Sequence, residues 1–211
     1  VEVRQVLAAY RFPMAPARTA ATAAEAMEAA IDLGYPVVLK IESDKISHKT
    51  DVGGVKVDLR NADEVGAAYK DLAGLKSKDP DLQVTVQPMV KGGQEVILGM
   101  TRDPQFGPLL MFGLGGIFVE IMKDVAIRIH PVTDEGARLM IRKIKGYPLL
   151  AGHRGEKAVD MDLLVESLLR LSQMVTDLEP DLAEMDMNPF IITPKRGDSM
   201  IVDARITLTR P

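Results

Sequence analysis

Cysteine is absent from all 211 residues, which excludes disulfides, thiolate metal sites and cysteine nucleophiles. Tryptophan is absent as well, and aromatic residues make up only 4% of the chain, too few to build a platform for stacked bases. No apolar run approaches the roughly 18 residues that cross a bilayer. Val1-Glu-Val-Arg-Gln-Val6 has none of the character of a secretory signal. Excess positive charge is also missing: 26 basic against 30 acidic residues leave a formal charge of −4. That balance argues against a dedicated nucleic-acid surface while leaving room for a local phosphate site. The expectation is a cytoplasmic protein without nucleic-acid or membrane partners. What is present is core material, since 46% of the residues are hydrophobic and 27% charged, a balance typical of folded rather than disordered chains. The length fits one large domain or two small lobes.

The first residue is not Met, and Val3, Val6, Leu7 and Tyr10 follow helical spacing from the start. A segment of a longer or processed polypeptide is expected. Thr22-Ala-Ala-Glu25 reads as a capping box opening a helix, with Ala26, Met27, Ala30, Ile31 and Leu33 as its apolar stripe and Gly34 as its stop. Pro36–Ile41 reads as a buried strand, Ser43–Asp51 as a polar loop, and Gly53–Leu59 as a strand entered through two glycines. A helix over Asn61–Gly74, with Val65, Ala68, Tyr69 and Leu72 inward, and a strand over Gln83–Met89 complete a β-α-β-β-α-β lobe. Beyond a hinge at Gln87-Pro-Met-Val90 and Lys91-Gly-Gly93, strands are expected at 95–100, 108–112 and 125–129. Helices at 134–144 and 162–178 follow, with closing strands at 182–192 and 200–204. The reading is an α+β fold of two lobes, 1–90 and 91–211.

Four groups of residues carry chemistry. Lys40 stands in an otherwise apolar strand, where its charge needs an anion or a carboxylate. The loop Ser43-Asp-Lys-Ile-Ser-His-Lys-Thr-Asp-Val-Gly-Gly54 combines hydroxyls, lysines, His48 and a diglycine able to expose backbone N–H groups. It reads either as a phosphate-facing loop or as a solvated one. His48, mostly neutral near pH 7, has the makings of a nucleophile toward phosphorus. Phe112-Gly-Leu-Gly-Gly-Ile-Phe-Val-Glu120 is a second glycine-rich loop, without the spacing of a P-loop or Rossmann fingerprint. Finally, Glu184-Met-Asp-Met-Asn-Pro-Phe190 puts Glu184, Asp186 and Asn188 on one strand face, with Met185 and Met187 toward the core. Asp203 follows in the apolar setting Ile201-Val-Asp-Ala-Arg205. Oxygen ligands from two neighbouring strands suit Mg²⁺.

In this order the motifs resemble an ATP-grasp domain, in which two α/β lobes clamp a nucleotide. More narrowly, they resemble the ATP-grasp β subunit of ADP-forming acyl-CoA synthetases, acetate–CoA ligases related to the succinyl-CoA synthetase β subunit. The resemblance implies ATP or ADP with Mg²⁺ as cofactors. It assigns Lys40, Gly53 and Gly54 to the phosphates, Gln87, Met89 and Val90 to the adenine hinge, and Glu95 to the ribose. Gly115 and Gly116, in the glycine-rich loop, are expected among the nucleotide-binding residues. Asn188 and Asp203 take the metal, with Asp186 beside them. His48 becomes a phosphate carrier, and Arg128 an arginine near the transferred phosphate. A CoA-binding α subunit, or fused α-type domains, would handle acyl-CoA and acyl phosphate, because no CoA-binding module is readable in this sequence. The alternative from another class is a non-catalytic, regulatory ATP-grasp domain of a multidomain protein lysine acetyltransferase. A succinate–CoA ligase and a purely structural domain are further alternatives.

Overall fold

Local sequence chemistry sets the ends of the helices. In the computed structural model, Thr22 Oγ1 accepts the Glu25 N–H at 3.2 Å, while the Glu25 carboxylate accepts the Ala21 N–H at 2.8 Å. This fixes the start of α2 (Ala23–Leu33), whose stop is Gly34 at φ 82°. The side chain of Asn61 caps α3 (Ala62–Ala73) in the same way, accepting the Glu64 N–H at 2.9 Å. The structure describes residues 2–43, 45–46, 49–77, 79–116, 123–153 and 155–209.

The chain divides into two units, Ala15–Met89 and Val1–Met14 with Val90–Pro211. The smaller unit holds β1 (Arg18–Ala20), α2, β2 (Val37–Glu42), β3 (Val55–Leu59), α3 and β4 (Gln83–Pro88). Its antiparallel sheet has the order β1-β4-β2-β3. Val37, Leu39 and Ile41 of β2 and Val84 and Val86 of β4 pack under the two helices. The helix face that meets them differs from the expected stripe. Ala26, Ala29 and Ala30 are buried, while Ile31 is 65% exposed. An alanine face lets α2 lie close to the sheet and leaves the larger side chain outside.

The larger unit begins with α1 (Glu2–Ala9). The sequence reading placed residues 1–14 in the first lobe; instead Leu7 and Phe12, both buried, join the core of the second. The unit's six-stranded sheet runs β10-β8-β5-β6-β7, with β9 beside β8. These are β5 (Gln94–Asp103), β6 (Gly107–Leu114), β7 (Val125–Ile129), β8 (Leu182–Ile192), β9 (Met200–Ile201) and β10 (Ala204–Leu208). The helices α4 (Asp134–Lys143), α5 (Tyr147–Leu150) and α6 (Met161–Leu178) follow β7. Val96, Leu98 and Met100 of β5 and Met185, Met187, Phe190 and Ile192 of β8 fill the same core as Leu164, Leu168, Leu171 and Val175 of α6. The expected closing strand 200–204 is broken. Pairing stops after Ile201 and resumes at Ala204, leaving Val202 and Asp203 outside both strands. Among the described residues, no helix is long and apolar enough to cross a membrane.

Asp160 ties this unit's last helix to the turn at 196–198. Its carboxylate caps α6, accepting the Leu163 N–H at 2.8 Å, and receives Arg196 Nε at 3.0 Å. The Arg196 guanidinium, helped by the helix N–H groups and opposed by burial, holds the Asp160 carboxyl below the usual aspartate range. A depressed folded pKa stabilises the fold at pH values above the unfolded pKa of about 3.9 and is lost as pH falls below it. Arg196→Met is therefore expected to lower Tm by a constant margin between pH 5 and 8, and that margin should shrink below about pH 4 as both forms of Asp160 protonate. Thermal melts of the two proteins across this range check the trend.

Candidate functional site

The smaller unit supplies a polar sheet face. Lys40 lies opposite Thr85, and Val38 opposite Gln87, across the β2–β4 ladder. Directly paired residues share a face, so Lys40, Thr85 and Gln87 stand together, away from the helices. Lys40 is only 4% exposed. Its carboxylate partner is Glu42, the next residue on the same face, whose Oε1 lies 3.3 Å from the ammonium. The other oxygen of Glu42 accepts Lys49 Nζ at 2.8 Å. Gln87 is fully buried, and among the described residues neither amide atom has a hydrogen-bond partner. Leaving both atoms unpaired costs about 1–3 kcal/mol each, so this side chain fits a ligand-facing position such as the edge of a nucleotide base.

The hinge residue Met89 donates its N–H to the Pro36 carbonyl at 2.9 Å. The diglycine differs from the expected phosphate cradle. Gly53 N–H closes onto the Thr50 carbonyl at 3.0 Å and Gly54 N–H onto the Lys49 carbonyl at 2.7 Å. Both donors are already used, so the glycines shape the loop instead of offering free amides. A Cβ at Gly54 would stand 2.6 Å from Ile41 and 2.8 Å from the Lys49 carbonyl, which requires glycine there. His48 lies outside the described residues.

In the larger unit, the face turned away from the helices carries the acidic groups. Asp186 pairs with Gly99 on one side and Arg205 on the other. Glu95 is on the same face, since its neighbours Val96 and Leu98 alternate into the core. Room for Glu95 comes from the glycine-rich loop. A Cβ on Gly115 would meet Glu95 Cβ at 2.9 Å, and one on Gly116 would meet its carboxylate at 3.4 Å. Gly115 N–H also donates to the Glu95 carbonyl at 2.7 Å. The rest of that loop, residues 117–122, is outside the described residues.

Asn188 and Asp203 are brought side by side. Asn188 N–H donates to the Asp203 carbonyl at 3.0 Å, and Val202 N–H to the Pro189 carbonyl at 2.9 Å. Opposite them β8 bulges. Val96 pairs with Phe190 and Leu98 with Met187, so Asn188 and Pro189 together face the single residue Ile97. Met185 and Met187 are buried as expected, but the extra residue resets the alternation so that Phe190 and Ile192 take the core side. Asn188 is left exposed at this kink and Asp203 half-buried at the strand break. Asp203 Oδ1 accepts the Ala204 N–H at 3.0 Å.

The donor set fits Mg²⁺. It is oxygen-only, and among the described residues no cluster of three or more His, Cys, Asp or Glu forms a complete cage. Asn188 and Asp203 would hold such an ion only in part, leaving water and substrate phosphate oxygens to supply its remaining ligands. Arg128 is not with this group. It pairs with Leu110, a core residue, and its Nη1 sits 2.5 Å from where a Cβ on Gly136 would be, at the start of α4. That is the helix-covered face, opposite Glu95 and Asp186. The strand's alternation, counted from Ala126 inward, carries this signal. Sequence reasoning also missed Glu42, although its i, i+2 spacing from Lys40 on a strand was readable.

Comparison with known proteins gives the family. Residues 1–208 match the ATP-grasp domain family. The chain is 44% identical to the β subunit of acetate–CoA ligase [ADP-forming] II of Pyrococcus furiosus, over 98% of this chain and 89% of that subunit. It is 46% identical to the 4-hydroxybutyrate–CoA ligase [ADP-forming] of Nitrosopumilus maritimus, over 98% of this chain but 30% of that longer protein. Among solved structures, the dinucleotide forming acetyl-coenzyme A synthetase 1 of Ca. Korarchaeum cryptofilum, with coenzyme A and Ca-AMPCP, superposes with a TM-score of 0.90 at 42% identity, covering 99% of this chain and 91% of that one. The same protein with Mg-AMPPCP gives 0.83 at 41% identity, again over 99% and 91% of the two chains. With its sheet faces, bulge and paired acidic strands in place, the chain belongs to the ATP-grasp family.

Proposed function

We propose that this chain is the nucleotide-binding, phosphoryl-transfer component of an ADP-forming acyl-CoA synthetase, an acid–thiol ligase. The carrying observation is near full-length likeness to an ADP-forming ligase β subunit. That likeness supports a ligase over the regulatory domain of a lysine acetyltransferase. The overall reaction interconverts acid, CoA and ATP with acyl-CoA, ADP and phosphate. A CoA-binding α subunit, or fused α-type domains as the greater length of the Nitrosopumilus ligase suggests, carries acyl-CoA and acyl phosphate. A cytoplasmic location agrees with the use of ATP and CoA.

Within this chain, Lys40 neutralises nucleotide phosphate, and Gln87, Met89 and Val90 line the base. Glu95, given space by Gly115 and Gly116, meets the ribose. Asn188 and Asp203, with Asp186 beside them, hold Mg²⁺, which when bound screens the charge of the transferring phosphate. His48 takes the γ-phosphoryl group. The bond from phosphorus to the ADP oxygen breaks as a phosphorus–nitrogen bond forms, and the imidazole proton passes to water. In the reverse direction the phosphoramidate returns phosphate to ADP. Incubation with γ-labelled ATP and Mg²⁺ tests this: acid-labile, base-stable label on the chain is expected, and its absence even with the partner present overturns the reading.

Lys40→Met removes a nearly buried charge whose partner, Glu42, is half exposed. Nucleotide affinity is expected to fall roughly 10- to 100-fold, about 1.4–2.7 kcal/mol, with a smaller proportional effect on Tm. Calorimetric titration with ADP beside a thermal melt makes the comparison.

A further inference from the structure

Three cations stand in the strands of the larger unit: Arg102 in β5, Arg128 in β7 and Arg205 in β10. Arg102 follows Val96, Leu98 and Met100 to the helix side and donates its Nε to the Leu182 carbonyl at 2.8 Å. Arg128 is on that side as well, at the start of α4. Arg205 has a different setting. Its neighbours Ala204 and Ile206 pack against the core and its cross-strand partner is Asp186, so it belongs to the open face. It is exposed, and among the described residues no carboxylate forms an ion pair with it. Glu95, Glu184 and Asp186 share this face. Among the described strand residues that alternate onto it, Arg205 is the one cation.

The strand register orders these groups along the sheet. Glu95 is level with Ile191, and Gly99 with Asp186. The bulge at Asn188 and Pro189 comes between them, opposite Ile97. Asp203, whose carbonyl accepts the Asn188 N–H, stands at that middle level. At about 3.4 Å per residue, the Asn188–Asp203 pair is roughly 7 Å along the strands from Glu95, and the Asp186–Arg205 rung roughly 14 Å. Glu95 and Arg205 thus mark opposite ends of a row with the metal ligands in the middle. Gly99 adds no side chain to the far rung and leaves its floor open.

A nucleotide with its ribose at Glu95 and its metal-bound phosphates at Asn188 and Asp203 extends toward Arg205. We infer that Arg205 contacts the terminal phosphate and makes this unit distinguish a nucleoside triphosphate from a diphosphate. The inference rests on the reading of Glu95 as the ribose contact and of Asn188 and Asp203 as the metal ligands. Its physical basis is charge: the carboxylates of this face repel a polyphosphate, and one divalent ion offsets only part of that repulsion. A guanidinium adds positive charge where the metal is no longer adjacent, and its planar fork matches two oxygens of one phosphate. An exposed arginine without an ion pair has little part in holding the fold.

Calorimetric titration with Mg·ADP and with Mg·AMPPCP, an ATP analogue whose γ-phosphate cannot be transferred, tests the assignment. Arg205→Met is expected to bind Mg·AMPPCP about tenfold more weakly, while Mg·ADP stays within about twofold. Arg205→Lys keeps the charge without the fork and is expected to recover part of the loss. Tm without nucleotide should stay within about two degrees of native in both. Thr207→Ala changes the next residue on the same face, opposite Glu184, and should leave both affinities as they are. Equal weakening of the two nucleotides in Arg205→Met, or native affinity for both, overturns the inference. A merely structural role would lower Tm and both affinities together, which overturns it as well. A native chain that binds neither nucleotide brings down the ribose and metal assignments themselves, and the inference with them; that failure shows before any variant is made.

Discussion

His48→Ala is expected to reduce transfer of phosphate from γ-labelled ATP to the chain by at least ~1000-fold, on the order of 4 kcal/mol in the barrier. The imidazole is the only nucleophile proposed for the step, and alanine offers no lone pair to replace it. In its neutral form an imidazole keeps one ring nitrogen unprotonated, and that lone pair is the attacking group. The other two histidines provide an internal control. His130 Nε2 lies 3.0 Å from both the Ser172 carbonyl and Thr176 Oγ1 and is engaged in packing α6. His153 is exposed on a separate turn. Acid-labile label should thus vanish in His48→Ala and persist in His153→Ala. Nucleotide affinity should remain within about twofold in both, which separates loss of chemistry from loss of fold. Label that survives His48→Ala and disappears in His153→Ala would transfer the carrier role to the wrong unit and end the proposal.

Much of this arrangement was legible in the order of residues. Period-3.6 leucines gave α6, Thr22 and Asn61 gave the starts of α2 and α3, and β-branched runs gave the central strands of both sheets. These signals are local, so a single chain displays them. The parts that were not legible depend on partners distant in sequence. Leu7 and Phe12 look like the beginning of the first lobe, yet they are apolar enough to serve any core, and the one that receives them is built from residues beyond 95. Three-residue β1 has too few positions to show a period, and exists because Arg18–Ala20 can pair with β4. Arg128 was placed by motif order, and only its register with Leu110 reveals which side of the sheet it occupies. Asp79 sits in a Lys-Asp-Pro-Asp stretch that reads as solvated turn; its burial depends on Ser43, 36 positions earlier. The row Glu184, Asp186 and Asn188 was correct in composition, but the bulge that exposes Asn188 is a property of the ladder with β5.

Asp203→Ala carries the second large effect. The side chain is half-buried at the gap between β9 and β10, where the backbone carbonyl, not the carboxylate, secures Asn188. Truncation therefore keeps the bond that holds the two strands together and removes the charge. An Mg²⁺ ion bound by one or two protein carboxylates and by substrate phosphates loses a large part of its protein-supplied charge when one is deleted. Affinity for Mg·ADP is expected to drop roughly 10- to 100-fold, about 1.4–2.7 kcal/mol, while affinity for ADP in EDTA stays nearly constant. Tm without nucleotide should move by only a few degrees, because a half-exposed group at a strand gap contributes little to the core. Asp203→Asn separates charge from shape: it should behave like the alanine variant for Mg·ADP. Asn188→Ala should lower the same affinity by a smaller factor, since a neutral carboxamide oxygen interacts more weakly with the ion. Calorimetric titrations with and without metal give each number directly. Normal Mg·ADP affinity in both Asp203→Ala and Asn188→Ala would mean that the pair closes a strand gap and nothing more, and the metal would have to be sought elsewhere in the larger unit.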